Sequence, residues 1–151
     1  MALINYLTRI EFDFGSVSKV AEIARELDIK DPLIVTDKSL VKLGMHRAVA
    51  DQFGDDVTVF DNSPSIPTEM AILEAHGVYN SSGCDGIIAI GGGSPLDLAK
   101  GVRLLSGHDL PLAQYATTGG RQCNEGPLPL YQSAHSDRTG VSGSPQRCMV
   151  S

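Results

Sequence analysis

Residues 86–105 constrain the fold of this chain more than any other stretch, because they join three kinds of local structure in a fixed order. The stretch opens with a short, β-branched apolar run, residues 87–90, which is typical of a buried strand. Gly91, Gly92 and Gly93 follow, and successive glycines let a backbone turn tightly and approach a ligand closely. Beyond them, an apolar stripe at helical spacing predicts a helix that packs on a sheet.

The residues after the glycines carry the signals of a helix N-terminus. Ser94 has the chemistry of an N-cap, Pro95 suits the first helical position, and Asp97 lies three residues after the cap, as in a capping box. The free N–H groups and the dipole of such a helix favour a bound phosphate at the preceding turn. The same residues also make an ordinary capping box without any ligand, and their spacing leaves both interpretations open.

The ten residues GGGSPLDLAK, from Gly91 to Lys100, resemble the nucleotide-binding signature GGGSxxDxAK of the iron-containing (group III) alcohol dehydrogenases. Every fixed position of that signature is present. The resemblance implies that the backbone N–H groups of residues 91–94 bind the pyrophosphate of a nicotinamide dinucleotide, and that Asp97 lies near its nicotinamide side. We expect Lys100 to pair with Asp97 on the helix surface, because the two residues are one helical turn apart.

Strands and helices alternate along the chain up to the helix after the glycine turn. Such alternation predicts a mainly parallel sheet between two helix layers, and hence a Rossmann-like, three-layer α/β domain. Ligands of these sheets bind outside the carboxyl ends of the strands. The predicted strands are residues 8–14, 32–36, 57–60 and 87–90, and the predicted helices are residues 17–27, 40–53, 67–80 and the helix that begins at Ser94.

Asp37 directly follows the second predicted strand. An acidic residue at that place in a nucleotide-binding sheet can accept a hydrogen bond from a ribose hydroxyl, but Asp37 can also cap the next helix. The spacing alone favours the cap, whereas the family resemblance favours the ribose. A carboxylate at this point also repels a 2′-phosphate, so we predict NAD rather than NADP as the cofactor.

The sequence changes in character after Thr118. Of the 33 residues from 119 to 151, 13 are Gly, Pro or Ser, and the stretch shows no sustained strand or helix period. We therefore predict a dinucleotide-binding domain over residues 1–118 and an irregular, disordered tail over residues 119–151. The family continues differently from this point, so we expect the tail to be a non-native product of a frameshift or truncation, without the family's helical second domain.

The resemblance also implies a metal, Fe²⁺ or Zn²⁺, which the family holds with one Asp and three His of the helical second domain. This chain has four histidines, and two of them, His46 and His76, lie in predicted helices without a second ligand three or four positions further on. The others are His108, just after a predicted helix, and His135, in the tail. The sequence therefore predicts neither a metal site nor a catalytic residue in this chain.

Composition narrows the partners and the setting. The formal net charge of −6 disfavours nucleic acid and anionic membranes as partners, and no apolar run approaches the length of a membrane span. Residues 1–14 lack the hydrophobic region of a signal peptide. Cys84, Cys123 and Cys148 have neither paired nor metal-ligand spacing, which favours a reduced, cytoplasmic setting. Without a second domain to cover its apolar surface, we expect the chain to self-associate as a homo-oligomer.

Two interpretations of function follow. Through the resemblance, the chain is the nucleotide-binding half of an NAD-dependent oxidoreductase, which transfers hydride between the cofactor and a small alcohol or aldehyde with the metal as Lewis acid. Alternatively, the chain is a fragment that binds nucleotide and catalyses nothing. A phosphate-handling enzyme such as a kinase is a weaker interpretation, because the signature GxxxxGK[ST] is absent from the sequence.

Overall fold

The computed structural model describes residues 14–107 and three further strand segments, residues 9–11, 130–134 and 147–150. The described part contains six strands, five α-helices and a short 3-10 helix. The elements in chain order are β1 (Arg9–Glu11), the 3-10 helix (Ser16–Lys19), α1 (Val20–Glu26), β2 (Pro32–Val35), α2 (Lys38–Lys42), α3 (Arg47–Ala50), β3 (Thr58–Phe60), α4 (Glu69–Ser81), β4 (Gly86–Gly91), α5 (Gly93–Gly107), β5 (Leu130–Ala134) and β6 (Arg147–Val150).

The six strands form one sheet in the order β1-β6-β5-β4-β2-β3. The four strands from β5 to β3 run parallel, whereas β6 pairs antiparallel with both β5 and β1. Val35 of β2 lies opposite Ala89 of β4 on one side and opposite Phe60 of β3 on the other. The carboxyl ends of these three strands therefore meet at one edge of the sheet, which is where ligands of parallel sheets bind.

Helices cover both faces of the sheet. Neighbouring residues of a strand point to opposite faces, so Leu33 and Ile34 of β2 belong to different apolar clusters. Leu33 packs in the cluster that holds the buried residues of α4 and α5, and Ile34 packs with those of α1 and α3. All four residues of β2 and all six of β4 are buried, as expected for central parallel strands. The predicted Rossmann-like, three-layer, mainly parallel fold is confirmed.

The predicted helix over residues 40–53 is wrong as a continuous element. Two short helices, α2 and α3, take its place, and the turn between them contains Gly44 at a φ of 71°. Glycine adopts this left-handed conformation without a Cβ penalty, so it ends a helix readily. The N–H groups of Gly44 and Met45 donate to the carbonyl oxygens of Val41 and Leu40, which closes the end of α2.

The sequence predicts an irregular tail over residues 119–151, and two segments of that tail differ from the prediction. β5 pairs parallel with β4 and β6 pairs antiparallel with β5, so both extend the sheet. The pairing of β5 with β4 and of β6 with β5 decides their conformation, because it satisfies backbone hydrogen bonds that no local pattern signals. The rest of the tail lies outside the described residues, as do Cys123, His108 and His135. The domain boundary at residue 118 and the non-native origin of the tail stay predictions.

Candidate functional site

The glycine turn, residues 91–93, lies where β4 ends and α5 begins, at the carboxyl edge of the sheet. Gly91 is buried and has a φ of 140°, a backbone conformation that side chains with a Cβ rarely adopt. A Cβ added there would lie 2.9 Å from Cγ of Pro95 and 3.1 Å from Cδ1 of Leu40. Backbone conformation and space therefore both require glycine at this position.

Gly92 and Gly93 differ from Gly91 in their surroundings. Both are exposed, and a Cβ added to either would have no heavy atom within 4 Å. Among the described residues nothing excludes a side chain at these two positions, so within that part of the chain the space in front of them is open. Because α5 begins at Gly93, the N–H groups of Gly93 and Ser94 have no partner within the helix, and they lie at the positive end of the helix dipole.

The predicted capping box at the start of α5 is wrong. The helix begins at Gly93, so Ser94 and Pro95 lie inside its first turn and Ser94 is not the N-cap. The Ser94 hydroxyl instead donates a hydrogen bond of 2.7 Å to the backbone carbonyl oxygen of Ser65, a residue 29 positions earlier. A contact with a distant loop has taken the place of the local cap.

Asp37 is the N-cap of α2, so the capping interpretation of this residue is confirmed. Its Oδ1 atom accepts hydrogen bonds from the N–H groups of Ser39 at 2.8 Å and Leu40 at 3.0 Å. Its other carboxylate oxygen, Oδ2, lies 3.6 Å from the point that a Cβ of Gly91 would occupy. The structure therefore brings Asp37 and the glycine turn together, as the adjacent carboxyl ends of their strands predict, and both amide hydrogen bonds of the cap go to one oxygen.

A third side of the site is formed by residues 61–66, which follow β3 and precede α4. Asn62 forms an antiparallel bridge with Asp37, and its side-chain amide donates to Oε2 of Glu74 at 3.4 Å. The Ser94 hydroxyl holds Ser65 of the same segment. We call the space between the glycine turn, Asp37 and this 61–66 segment the crevice. Sequence alone assigns no role to the individual residues of this segment, because all three contacts join residues far apart in the chain.

Asp97 and Lys100 form the predicted pair on the surface of α5. Lys100 Nζ lies 3.2 Å from Asp97 Oδ1, and the two side chains are 55% and 61% exposed, respectively. The prediction that Lys100 pairs with Asp97 is confirmed. Asp97 thus lies one turn into α5, on its exposed face and close in sequence to the glycine turn.

The two described histidines lie apart from the crevice contacts. The His76 ring stacks on Tyr79 with the ring centroids 6.4 Å apart, and the Asn80 amide nitrogen lies 3.4 Å from its Nδ1 atom. His46 precedes α3. Among the residues that the structure describes, no group of three or more His, Cys, Asp or Glu side chains could hold a metal ion.

The two described groups with shifted pKa values, Cys84 and Tyr79, lie at the opposite, amino edge of the parallel strands. Burial has the largest effect and raises the pKa of the Cys84 thiol, a hydrogen bond with Thr58 lowers it by less, and the carboxylates of Asp85 and Asp31 raise it by smaller amounts still. Burial also raises the pKa of Tyr79. Cys84 is half-buried, and it lines a small cavity of about 180 Å³. Within the part of the chain that the structure describes, no helix is both long and apolar enough to cross a membrane.

Comparison with known proteins places the chain among dehydrogenases. The model of the family described as iron-containing alcohol dehydrogenase matches residues 8–132, a range that includes the whole glycine motif and runs beyond residue 118. The chain is 46% identical over 121 residues to the 4-hydroxybutyrate dehydrogenase of Cupriavidus necator, and the alignment covers 80% of this chain and 32% of that protein.

Solved structures give the same result for the fold. The crystal structure of a 1,3-propanediol oxidoreductase superposes with a TM-score of 0.77 at 30% identity, over 88% of this chain and 36% of that one. A sulfoacetaldehyde reductase from Bifidobacterium kashiwanohense, solved in complex with NAD⁺, has a TM-score of 0.74 at 24% identity, over 87% and 36% of the two chains. The chain therefore spans about a third of the length of the relatives that it matches.

Proposed function

The chain belongs to the iron-containing alcohol dehydrogenase family, and we propose that its crevice is the nucleotide site of an NAD-dependent oxidoreductase that acts on a CH–OH group. The observation that carries the proposal is the glycine turn. Gly91 lies where no side chain fits, while Gly92 and Gly93 beside it leave the start of α5 open. An anion of the size of a pyrophosphate meets backbone N–H groups and a helix N-terminus in such a turn.

In this proposal the pyrophosphate binds to the backbone N–H groups of Gly91, Gly92, Gly93 and Ser94. Asp37 accepts a hydrogen bond from a hydroxyl of the adenosine ribose with Oδ2, while Oδ1 continues to cap α2. The proximity of Asp37 to Gly91 supports this arrangement, since the adenosine ribose of the cofactor is bonded directly to the pyrophosphate. A 2′-phosphate would meet the Asp37 carboxylate, so the site favours NAD over NADP.

Asp97 is proposed to lie near the nicotinamide side of the bound cofactor. Its exposed position, one turn into the helix that begins at the glycine turn, supports this role. The full reaction would remove a hydride from the carbon and a proton from the hydroxyl of a small alcohol, which leaves an aldehyde or ketone and NADH.

A metal also belongs to the family's chemistry, in which Fe²⁺ or Zn²⁺ supplies a Lewis acid that polarises the alcohol oxygen. The described residues offer no group of ligands that fits such an ion, so we assign no step through a metal to this chain. We also propose a reduced, cytoplasmic setting, which the cysteine spacing supports. The net negative charge supports the absence of nucleic-acid and membrane partners. The exposed side chains of Ile66 and Met70 support self-association.

The second candidate function is nucleotide binding without catalysis. It is favoured by the length of the match, because the chain spans only about a third of the relatives that it resembles. In that case the crevice binds NADH, but mixtures of NAD⁺ with small alcohols produce no NADH even when Fe²⁺ or Zn²⁺ is added.

A calorimetric titration of the chain with NADH and then with NADPH tests the shared claim of both candidates. We expect saturable binding of NADH and binding of NADPH that is weaker by about tenfold or more, since a carboxylate near a phosphate costs roughly 1–2 kcal/mol. Equal affinity for the two nucleotides would contradict the role of Asp37, and no binding of either would contradict the nucleotide site. An assay of NADH formation with added metal then separates the two candidates.

A further inference from the structure

We propose that Ser94 is a positioning residue: its hydroxyl holds the 61–66 segment against the start of α5, so that the crevice has a fixed third side before a nucleotide arrives. This inference rests on the proposed nucleotide site. There the backbone N–H of Ser94 binds the pyrophosphate, whereas its side chain positions the 61–66 segment. The hydroxyl acts on the cofactor through Ser65 rather than by touching a phosphate.

The contact itself is short and specific. Ser94 Oγ donates to the backbone carbonyl oxygen of Ser65 at 2.7 Å, within the usual range for a hydroxyl donor. Ser94 lies in the first turn of a helix of 15 residues, where its own N–H faces the crevice and its side chain points to the loop. One residue thus joins the glycine turn to the segment opposite it.

The far end of the 61–66 segment lies two residues before Thr68, the N-cap of α4. Its near end is fixed by the bridge between Asn62 and Asp37 and by the Asn62 side chain on Glu74. Ser65 and Ile66 are exposed, and the Ile66 side chain keeps 79% of its surface in contact with solvent. Burial does not order Ser65 and Ile66, and the hydrogen bond from Ser94 ties Ser65 to the start of α5.

An ordered third side matters for binding because a nucleotide that meets a mobile segment must order it first. That ordering costs conformational entropy and weakens the measured affinity. Removal of the Ser94 hydroxyl should therefore loosen the segment in the free protein and weaken nucleotide binding by a similar factor. A hydrogen bond of this kind corresponds to about a two- to tenfold change in either quantity.

Amide hydrogen exchange of residues 61–66 in the full, nucleotide-free chain is the direct test, with NADH titration as the second readout. Four proteins are compared: wild type, Ser94→Ala, Ser94→Thr and Ser106→Ala. Ser106 is the matched control, since its hydroxyl donates to the Val102 carbonyl oxygen at 2.9 Å within the same helix. Thermal unfolding of each variant shows that it is folded.

We expect Ser94→Ala to exchange about two- to tenfold faster at residues 65 and 66, and to bind NADH more weakly by a similar factor. Ser94→Thr keeps the hydroxyl and should restore both quantities, whereas Ser106→Ala should change neither. Unchanged exchange in Ser94→Ala overturns the proposal, and a loss of NADH affinity with unchanged exchange would assign the hydroxyl to the cofactor instead. Faster exchange in Ser94→Ala, together with no NADH binding by the wild type, supports the Ser94 contact and overturns the proposed nucleotide site.

Discussion

Asp37 and Gly91 face each other across two neighbouring parallel strands, with Oδ2 of Asp37 3.6 Å from the point where a Cβ of Gly91 would lie. The register of the sheet produces this proximity, because Val35 pairs with Ala89 two residues before each of them. The Asp37 carboxylate and the glycine turn are thereby held close together at the carboxyl edge of the sheet. Substitutions at Gly91 and at Asp37 separate the effects of this arrangement on stability and on nucleotide binding.

Substitution of Gly91 by alanine should destabilise the fold. A Cβ at this residue would need a φ of 140° and would lie 2.9 Å from Cγ of Pro95, so strain and overpacking act together. We expect a loss of about 2–4 kcal/mol in the free energy of unfolding, measured by urea denaturation. Gly92→Ala is the control, and it should change stability by less than about 1 kcal/mol, since its Cβ meets nothing within 4 Å. Equal stability of the two variants would contradict the geometry of the turn.

Two substitutions at Asp37 separate its cap from its charge. Asp37→Ala removes the acceptor of the Ser39 and Leu40 N–H groups and should lower the free energy of unfolding by about 1 kcal/mol. Asp37→Asn keeps an N-cap acceptor but removes the charge, so we expect nearly unchanged stability and a loss of the preference for NADH over NADPH. Nucleotide titration and denaturation of both variants check this. A wild-type preference that survives in Asp37→Asn would show that the discrimination comes from elsewhere.

The exposed pair of Asp97 and Lys100 should contribute little to stability. Both side chains are more than half exposed, so Asp97→Asn and Lys100→Gln should each change the free energy of unfolding by less than about 0.5 kcal/mol. NADH titration then isolates the role of the carboxylate: we expect weaker binding in Asp97→Asn and unchanged binding in Lys100→Gln. If both variants bind NADH as the wild type does, Asp97 has no part in the cofactor site.

Cys84 should react slowly with alkylating agents at neutral pH. Burial raises the pKa of its thiol, so a smaller fraction than in an ordinary cysteine is the reactive thiolate. Iodoacetamide labelling of the Cys84 peptide, followed by mass spectrometry, should speed up with pH and still be rising above about pH 8.5, the ordinary cysteine pKa. A rate that levels off below that pH would contradict the direction of the shift.

The same shift links stability to alkaline pH. A thiol whose pKa is higher in the folded protein favours folding while it is protonated, and the unfolded chain ionises first as the pH rises. Wild type should therefore lose stability as the pH rises from the ordinary cysteine pKa through the raised pKa of the folded protein. Cys84→Ala should lose less over that window, whereas the raised pKa of Tyr79 adds a loss in both proteins only from about pH 10, the ordinary tyrosine pKa, upward. An equal loss in the two proteins would show that Cys84 does not contribute.

Local patterns in the sequence were sufficient to predict the two features that line the crevice on two sides, the glycine turn and Asp37. The glycine turn follows a β-branched run directly, and Asp37 follows the second strand, so both places are fixed by short segments of chain. The break at Gly44 shows the limit of periodicity, since the apolar spacing continues through a glycine whose left-handed backbone ends the helix.

The parts that sequence did not predict depend on contacts between distant residues. The Ser94 side chain satisfies the local rules of an N-cap, yet a carbonyl oxygen 29 positions away accepts its hydrogen bond. Likewise, β5 has no strand period of its own and takes its conformation from pairing with β4. No local signal reports such pairings, so only the fold reveals them.

We propose that the open face of the glycine turn receives the nucleotide, and Gly92→Val is the variant that tests this. A valine at Gly92 has room in the fold, but its side chain occupies the space that the pyrophosphate would need. Gly77→Val, on an exposed face of α4 with equal room, is the matched control. In calorimetric titrations with NADH, we predict saturable binding by wild type and Gly77→Val and none by Gly92→Val. Binding by Gly92→Val with wild-type affinity, or no binding by the wild type, would contradict the account.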